Sequence, residues 1–293
     1  MKRNVTIAVI ANLIFGIMPV YWKFLAGVSN VYVLGHRMVW SIVFTIGFAA
    51  IEHKLGLLKA AFQNKRALLI SLLSGITIVG NWYLYTWAVN SDMVADTSLA
   101  YYISPLIVFL FGITLFRESF TKWDIAAVCF ALGGIVMYTV SMGTFPWVAV
   151  GLAMTFSLNG ALKKLAGLDS AVALTVEMTL LLPVSIIYLA VSSFGPAGNL
   201  NGIHWWEVLL LIGTGFASSF PLWLYGKGIN DLPLTLVGIL QYIWPTTSLL
   251  MSIFVFREEV SAAKLGCFAL IWVGLVIFTV GKTRKKTRQL RLR

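Results

Sequence analysis

Few residues in this 293-residue chain are able to do charge chemistry, and several of them stand inside long apolar runs. His36, Arg37 and Glu177 are the ionisable ones so placed; Asp92 and Asp96 stand at the outer end of one run. An ionisable group in such a setting is costly and marks a candidate functional position. Arg37 and Glu177 occupy equivalent places 140 residues apart and enter from opposite faces, so a direct ion pair between them is not implied. Asp92 and Asp96 suit helix-start capping and the positive end of a helix dipole. A second set is polar and aromatic: Asn81, Trp82 and Tyr85 in one run, Tyr101 and Tyr102 in the next, and Gln241, Tyr242 and Trp244 later. Asn81 and Tyr85 are four apart and share a helix face. Aromatic faces with a few hydrogen-bonding groups suit a small organic solute.

The elements that position these residues are apolar helices. The chain is 59% hydrophobic and 11% charged, with a mean hydropathy of +0.88; soluble domains carry roughly 25% charged residues. Runs of about 20 apolar residues span a bilayer. Ten such runs are read at 5–24, 31–51, 67–88, 97–115, 125–142, 146–162, 171–193, 205–226, 232–256 and 262–281. The start, Met1-Lys2-Arg3-Asn4, imitates a signal peptide, but with no small-x-small cleavage site it reads as a retained first span. The longest polar link runs from Glu52 to Arg66.

The chain also repeats itself at an offset of 140 without a gap. Leu84-Tyr85 recurs as Leu224-Tyr225, Asn90 as Asn230, Tyr102-Ile103-x-Pro105 as Tyr242-Ile243-x-Pro245, and Phe116-Arg117-Glu118 as Phe256-Arg257-Glu258. Five spans per copy is an odd number, so the second copy enters the membrane the other way round. The expected fold is an all-α membrane protein of ten transmembrane helices in two inverted five-helix repeats, 1–142 and 143–281, followed by a basic tail, 282–293. Inverted repeats place a substrate between their halves. Pro105 and Pro245, in corresponding spans, point to the site or its hinges.

Lys and Arg orient the chain. With the N-terminus in the cytoplasm, 18 of the 22 fall inside, including the seven after Gly281, and only Lys23, Arg257 and Lys264 fall outside. Both termini are therefore expected in the cytoplasm. The net charge of +11 sits in connections and tail, not in a polar domain, so no nucleic-acid partner is indicated and the lipid bilayer is the expected surroundings. His36, His53 and His204 have no metal-ligand spacing. Gly281-Lys282-Thr283 imitates the end of a phosphate loop, but Val276 stands where its first glycine belongs. Cys129 and Cys267 read as small buried hydrophobes. Trp22, Trp40, Trp147, Trp205 and Trp206 lie near span ends, as interfacial anchors do. Gly75 and Gly215 read as helix-packing positions.

Several runs together resemble RarD-type permeases of the EamA branch of the drug/metabolite transporter superfamily. They are His36-Arg37-x-x-Trp40-Ser41, Asn81-Trp82-x-x-x-x-Trp87-Ala88-Val89-Asn90, Ser98-Leu99-Ala100-Tyr101-Tyr102-Ile103-Ser104-Pro105-Leu106, Leu181-Leu182-Pro183, Gln241-Tyr242-Ile243-Trp244-Pro245-Thr246 and Phe268-Ala269-Leu270-Ile271-Trp272. Ala100, Ser104 and Asp96 depart from the usual Gly, Asn and Glu. The resemblance implies a multi-pass carrier of the bacterial inner membrane, not an enzyme, with no cofactor. It implies a cavity lined by Trp22, Asn81, Tyr85, Tyr101, Asn159, Trp223, Tyr225 and Gln241, with proton coupling, if any, at Asp96 or Glu177. Its expected work is transport of a small organic solute, amino-acid-like or drug-like. A lipid flippase and an intramembrane enzyme are the alternatives; the enzyme lacks the clustered carboxylates or histidines it would need.

Overall fold

The computed structural model describes residues 2–117, 122–194, 203–229, 232 and 240–291. Glu118 and Asn230 of the repeat, and residues 233–239 of the ninth apolar run, lie outside them. Eleven α-helices form among the described residues: α1 Lys2–Lys23, α2 Asn30–Ile51, α3 Leu55–Gln63, α4 Lys65–Asn90, α5 Val94–Phe116, α6 Lys122–Met142, α7 Trp147–Ala166, α8 Ser170–Phe194, α9 Trp205–Ile229, α10 Ile243–Leu250 and α11 Ala262–Arg291. Seven of them are long and apolar enough to cross a membrane; Ile243–Val255 and Ala262–Ile277 are shorter apolar helices. Among the described residues no strand forms, and the long apolar helices are those of a multi-pass membrane protein. Two departures from expectation stand out. The polar link after α2 holds the short helix α3, and α11 continues as helix through residues 282–291 of the basic tail.

In lipid, helices associate through close packing and hydrogen bonds, since their apolar side chains gain nothing by leaving hydrocarbon. The helix α4 shows how the chain encodes this. Its buried positions Ser71, Ser74, Gly75, Ile78, Asn81, Trp82 and Tyr85 recur at three and four residues and draw one stripe of small, polar and aromatic groups. Leu69, Leu73, Ile76 and Tyr83 face outward. The same division holds on α6 and α8, whose Val136, Val140, Ile187 and Val191 are exposed. Cys129 also lies exposed on α6, a correction to its expected burial; its position on the helix turns it outward, whereas Cys267 is buried.

The helices of one half pack chiefly on those of the other. α6 lies along α11; α5 and α4 lie on α7; α10 and α9 lie on α1; α2 packs on α8 and α9. Contacts related by the 140-residue offset join the halves in two places. The Tyr102 and Tyr242 rings stack 6.3 Å apart. A Cβ on Gly134 would stand 2.9 Å from Ile271 and 3.2 Å from the Cys267 oxygen, and one on Gly274 would stand 2.9 Å from the Ala127 oxygen. Arg117 and Arg257, equivalent residues ending equivalent apolar runs, both have left-handed backbone at φ 51° and 54°. The copies also differ. Pro105 lies well inside α5, while Pro245 lies in the first turn of α10, where a missing N–H costs nothing. α10 then relaxes into a π-helical turn at Met251–Val255, a form that recurs at functional sites.

Candidate functional site

Arg37 sits on the buried stripe of α2 at 6% exposure. Its guanidinium carbon lies 4.3 Å from the Trp22 ring centre and 4.0 Å from that of Trp82, so two indoles from α1 and α4 clasp it. Nε donates to the Ser218 hydroxyl on α9 at 2.6 Å. Nη1 is buried without a partner, and no carboxylate pairs with Arg37 among the described residues. Cation–π contacts of this kind contribute about 2 kcal/mol each at most, while burying an ion costs several kcal/mol. The clasp reduces that cost without cancelling it. Burial also corrects the interfacial reading of Trp22, which is 1% exposed, whereas Trp147, Trp205 and Trp206 are exposed as expected. His36 is half-buried; its Nδ1 accepts from Trp40 at 3.3 Å and its ring meets Tyr32 edge-on.

Glu177, the equivalent residue on α8, is fully buried but has a cation beside it and hydrogen bonds to one of its two oxygens. Ser74 donates to its Oε1 at 2.6 Å and the Asn159 amide lies at 3.5 Å. Lys163 Nζ stands 3.3 Å from Oε2, close enough for charge attraction but not in hydrogen-bond geometry. Arg37 and Glu177 therefore do not pair with each other. Their inequality follows from the repeat. The equivalent of Lys163 is Lys23, another cation, and it pairs with Asp92 instead. The equivalent of Asn159 is Pro19. The Arg37 neighbourhood offers the Ser218 hydroxyl and two indole faces, but among the described residues no opposite charge to match the Lys163 beside Glu177.

The eight expected lining residues divide into three groups. Tyr85 and Tyr101 join the Arg37 neighbourhood. Both rings are buried, 6.1 Å apart, and Tyr101 lies 3.8 Å from the Trp244 ring centre. Phe156 meets Tyr101 at 5.6 Å and Phe15 stacks on Trp244 at 4.6 Å. The Tyr85 hydroxyl and the indole nitrogens of Trp22 and Trp244 are buried without partners. Tyr225 and Gln241 bond to one another at 2.7 Å, and Trp223 stacks on Phe48 with Lys227 over its face. Asn81 and Asn159 tie helices together: Asn81 donates to the Leu152 oxygen at 3.0 Å and to Thr155 at 2.9 Å, and Asn159 donates to Ser74. Sequence reasoning missed Phe15 and Phe156. An aromatic in an apolar run carries no local mark of the face it joins.

Ion pairs gather at both ends of the bundle. At one end Asp96 pairs with Lys264 at 3.1 Å and accepts from the Tyr138 hydroxyl. Asp96 lies in the first turn of α5, at the favourable end of the helix dipole as expected, but the capping expected of Asp92 and Asp96 is done by Glu258, which accepts from the Val94 and Ala95 amides at 2.6 and 2.8 Å and from Ser252 at 2.7 Å. Asp92 has left-handed backbone (φ 57°) and points to Lys23 instead. At the other end Lys54 bridges Glu52 and Asp169, and Lys227 reaches Glu52. Partial burial works to raise the Glu52 carboxyl, and the Lys54 and Lys227 ammoniums outweigh it, so the carboxyl stays ionised to lower pH than usual. The bond to Glu52 in turn raises Lys54. Glu52 therefore stabilises the fold above the ordinary carboxylate range, and this is lost as pH falls through its depressed value; Lys54 loses its share only as pH rises through its raised one. Thermal melts of the wild type and of Glu52→Gln should differ near neutrality by up to about 1 kcal/mol and converge in acid.

An apolar crevice of about 370 Å³ opens between α1 and α9, lined by Ile14, Met18, Tyr21, Phe216, Phe220 and Pro221 among others.

The model of the EamA-like transporter family matches residues 3–140. The uncharacterized transporter YojE of Bacillus subtilis is 37% identical over 97% of this chain and 96% of its own length. This chain belongs to the EamA family, as a RarD-type permease. The Escherichia coli protein RarD is 31% identical to this EamA chain over 95% of it and 94% of RarD; an uncharacterized transporter of Pseudomonas aeruginosa is 31% identical over 98% and 97%. A chain of known crystal structure superposes on this permease with a TM-score of 0.63, over 97% of this chain and 99% of that one, at 18% identity, and so shares its fold. The buried polar groups described above belong to a membrane transporter.

Proposed function

We propose that this permease is a secondary transporter of a small organic solute in the bacterial inner membrane. It works by alternating access about a site between two inverted five-helix repeats, 1–142 and 143–281. The observation that carries this reading is the symmetry of contacts between the halves: Tyr102 stacks on its equivalent Tyr242, and Gly134 packs on the Cys267 carbonyl as Gly274 packs on that of Ala127, the equivalent of Cys267. Such self-pairing is what a pseudo-two-fold axis in the membrane plane produces. The charge distribution supports ten spans with both termini and the 282–293 tail in the cytoplasm. On that orientation the Glu52–Lys54–Asp169–Lys227 group lies at the cytoplasmic end and the Asp96–Lys264 and Glu258 contacts lie at the outer end. Both sets are formed together here, and rocking of the halves would break one while keeping the other. Tyr85, Tyr101 and Trp244 would hold the solute's apolar body. Tyr225 with Gln241 and the buried Glu177 with Lys163 are the further polar groups along the route, and Pro105 and Pro245 are its hinges. Asp96 or Glu177 would carry proton coupling.

In vesicles supplied with a labelled metabolite mixture, wild-type protein should move at least one small solute. Tyr101→Ala and Gln241→Ala should each lower that flux by about tenfold or more, the scale of one lost aromatic contact or hydrogen bond. Unchanged flux in both would sink the assignment. The apolar crevice between α1 and α9 favours a second reading, a flippase of lipid-linked metabolites. Translocation of a fluorescent lipid analogue in liposomes, with no solute flux, would establish it instead.

A further inference from the structure

The buried charge that nothing neutralises names the kind of solute. Arg37 is a permanent cation, clasped by Trp22 and Trp82, with Nη1 free of any partner and no carboxylate paired to it among the described residues. Two unpartnered buried donors stand beside it, the Tyr85 hydroxyl and the Trp22 indole nitrogen, and the Trp244 indole nitrogen is unpartnered next to Tyr101 in the adjoining aromatic wall. Native interiors satisfy buried polar groups or keep them for a use. Several unpaired donors about one cation are complementary to an anion, and the planar fork of arginine fits a carboxylate best. The walls beside it are aromatic: Tyr101, Trp244, Phe15 and Phe156.

Resting on the transporter reading above, we propose that Arg37 receives the carboxylate of an organic monoanion, with Tyr85 and Trp22 completing the donor set and the aromatic wall holding a flat apolar body. The same geometry discriminates against amino acids. An α-ammonium needs acceptors, and the fully buried carboxylate of Glu177 is engaged by Lys163, Ser74 and Asn159. The substrate class is therefore an aromatic or similarly flat carboxylic acid lacking an ammonium group.

The test compares three probes of nearly the same shape on the purified full-length protein: phenylacetate, its neutral amide phenylacetamide, and phenylalanine. Thermal stabilisation and equilibrium binding are read for each. Phenylacetate should raise the melting temperature and the other two should not. Tyr85→Phe keeps the ring and should weaken phenylacetate binding about tenfold; Arg37→Gln should weaken it about 100-fold. Arg37→Gln should leave the melting temperature of the ligand-free protein unchanged or higher, because it removes an uncompensated buried charge. A merely structural arginine would show the opposite. No stabilisation by phenylacetate, equal stabilisation by phenylalanine or phenylacetamide, or wild-type affinity in Tyr85→Phe and Arg37→Gln would each overturn the assignment. If Arg37→Gln fails to fold, Tyr85→Phe still decides it. A protein that moves a neutral or zwitterionic solute in vesicles yet ignores phenylacetate keeps the transporter reading and loses this one. A protein that binds phenylacetate but moves no solute across a membrane does the reverse.

Discussion

Gly215→Ala is expected to destabilise the protein by about 3 kcal/mol or to prevent its accumulation, while Gly75→Ala, its repeat equivalent, is nearly neutral. The two glycines occupy matching helix crossings: Gly215 on α9 against α2, and Gly75 on α4 against α8. A Cβ at 215 would fall on the backbone of α2, against the Trp40 carbonyl carbon and 2.5 Å from the Ser41 nitrogen. Backbone cannot turn aside as a side chain does, so the helices must separate, and an overpacked contact costs roughly 1–3 kcal/mol or more. At Gly75 the nearest atom is Leu181 Cδ1 at 3.1 Å, the far end of a flexible side chain, and the closest backbone atom, the Glu177 oxygen, stands at 3.3 Å, so a shift of a few tenths of an ångström makes room. The helix propensity gained by alanine, about 1 kcal/mol, offsets the small adjustment there. Thermal melts of both variants in detergent check this; equal effects at the two positions would show that the crossings are packed alike.

Lys163→Met is expected to cost about 2–3 kcal/mol, and Glu177→Gln less than about 1 kcal/mol, although both break the same pair. The asymmetry comes from burial. The Glu177 side chain is 0% exposed, and without Lys163 its charge is left with neutral donors only. Removing one partner of a buried pair costs up to 3–5 kcal/mol; the lower figure allows for the 21% exposure of Lys163. Glutamine keeps the shape and the bonds to Ser74 and Asn159, while the freed lysine extends toward the interface. The double variant should therefore resemble Glu177→Gln alone, giving a coupling of about 2 kcal/mol in a double-mutant cycle. A harmless Lys163→Met would remove the ion pair from the account of this site.

Much of the architecture was legible along the chain because a bilayer imposes long apolar helices, and their ends then carry the charges. The runs around Arg37, Asn81, Tyr101 and Gln241 were enough to find the family before any geometry was known. The roles of individual polar residues were not legible in the same way. Asn81 and Tyr85 share a helix face, yet Asn81 ties α4 to α7 while the Tyr85 hydroxyl stays unbound. Glu258 looked like the end of a repeated tripeptide and proved to cap α5 from the other half. Trp22 looked like an interfacial anchor and proved to cover Arg37.

The sequence by itself determined that the chain is a multi-pass helical membrane protein, a member of one permease family, and written twice at an offset of 140. Those properties follow from composition, period and local order, which are carried by neighbouring residues. Only the tertiary structure decided which buried charges are satisfied. Glu177 and Arg37 look equally exposed to risk in the chain, but Lys163, Ser74 and Asn159 come from two other helices to meet the first. No acid reaches the second among the described residues. Neutralisation inside a membrane depends on side chains brought within a few ångströms from distant segments, and no pattern along one helix encodes that.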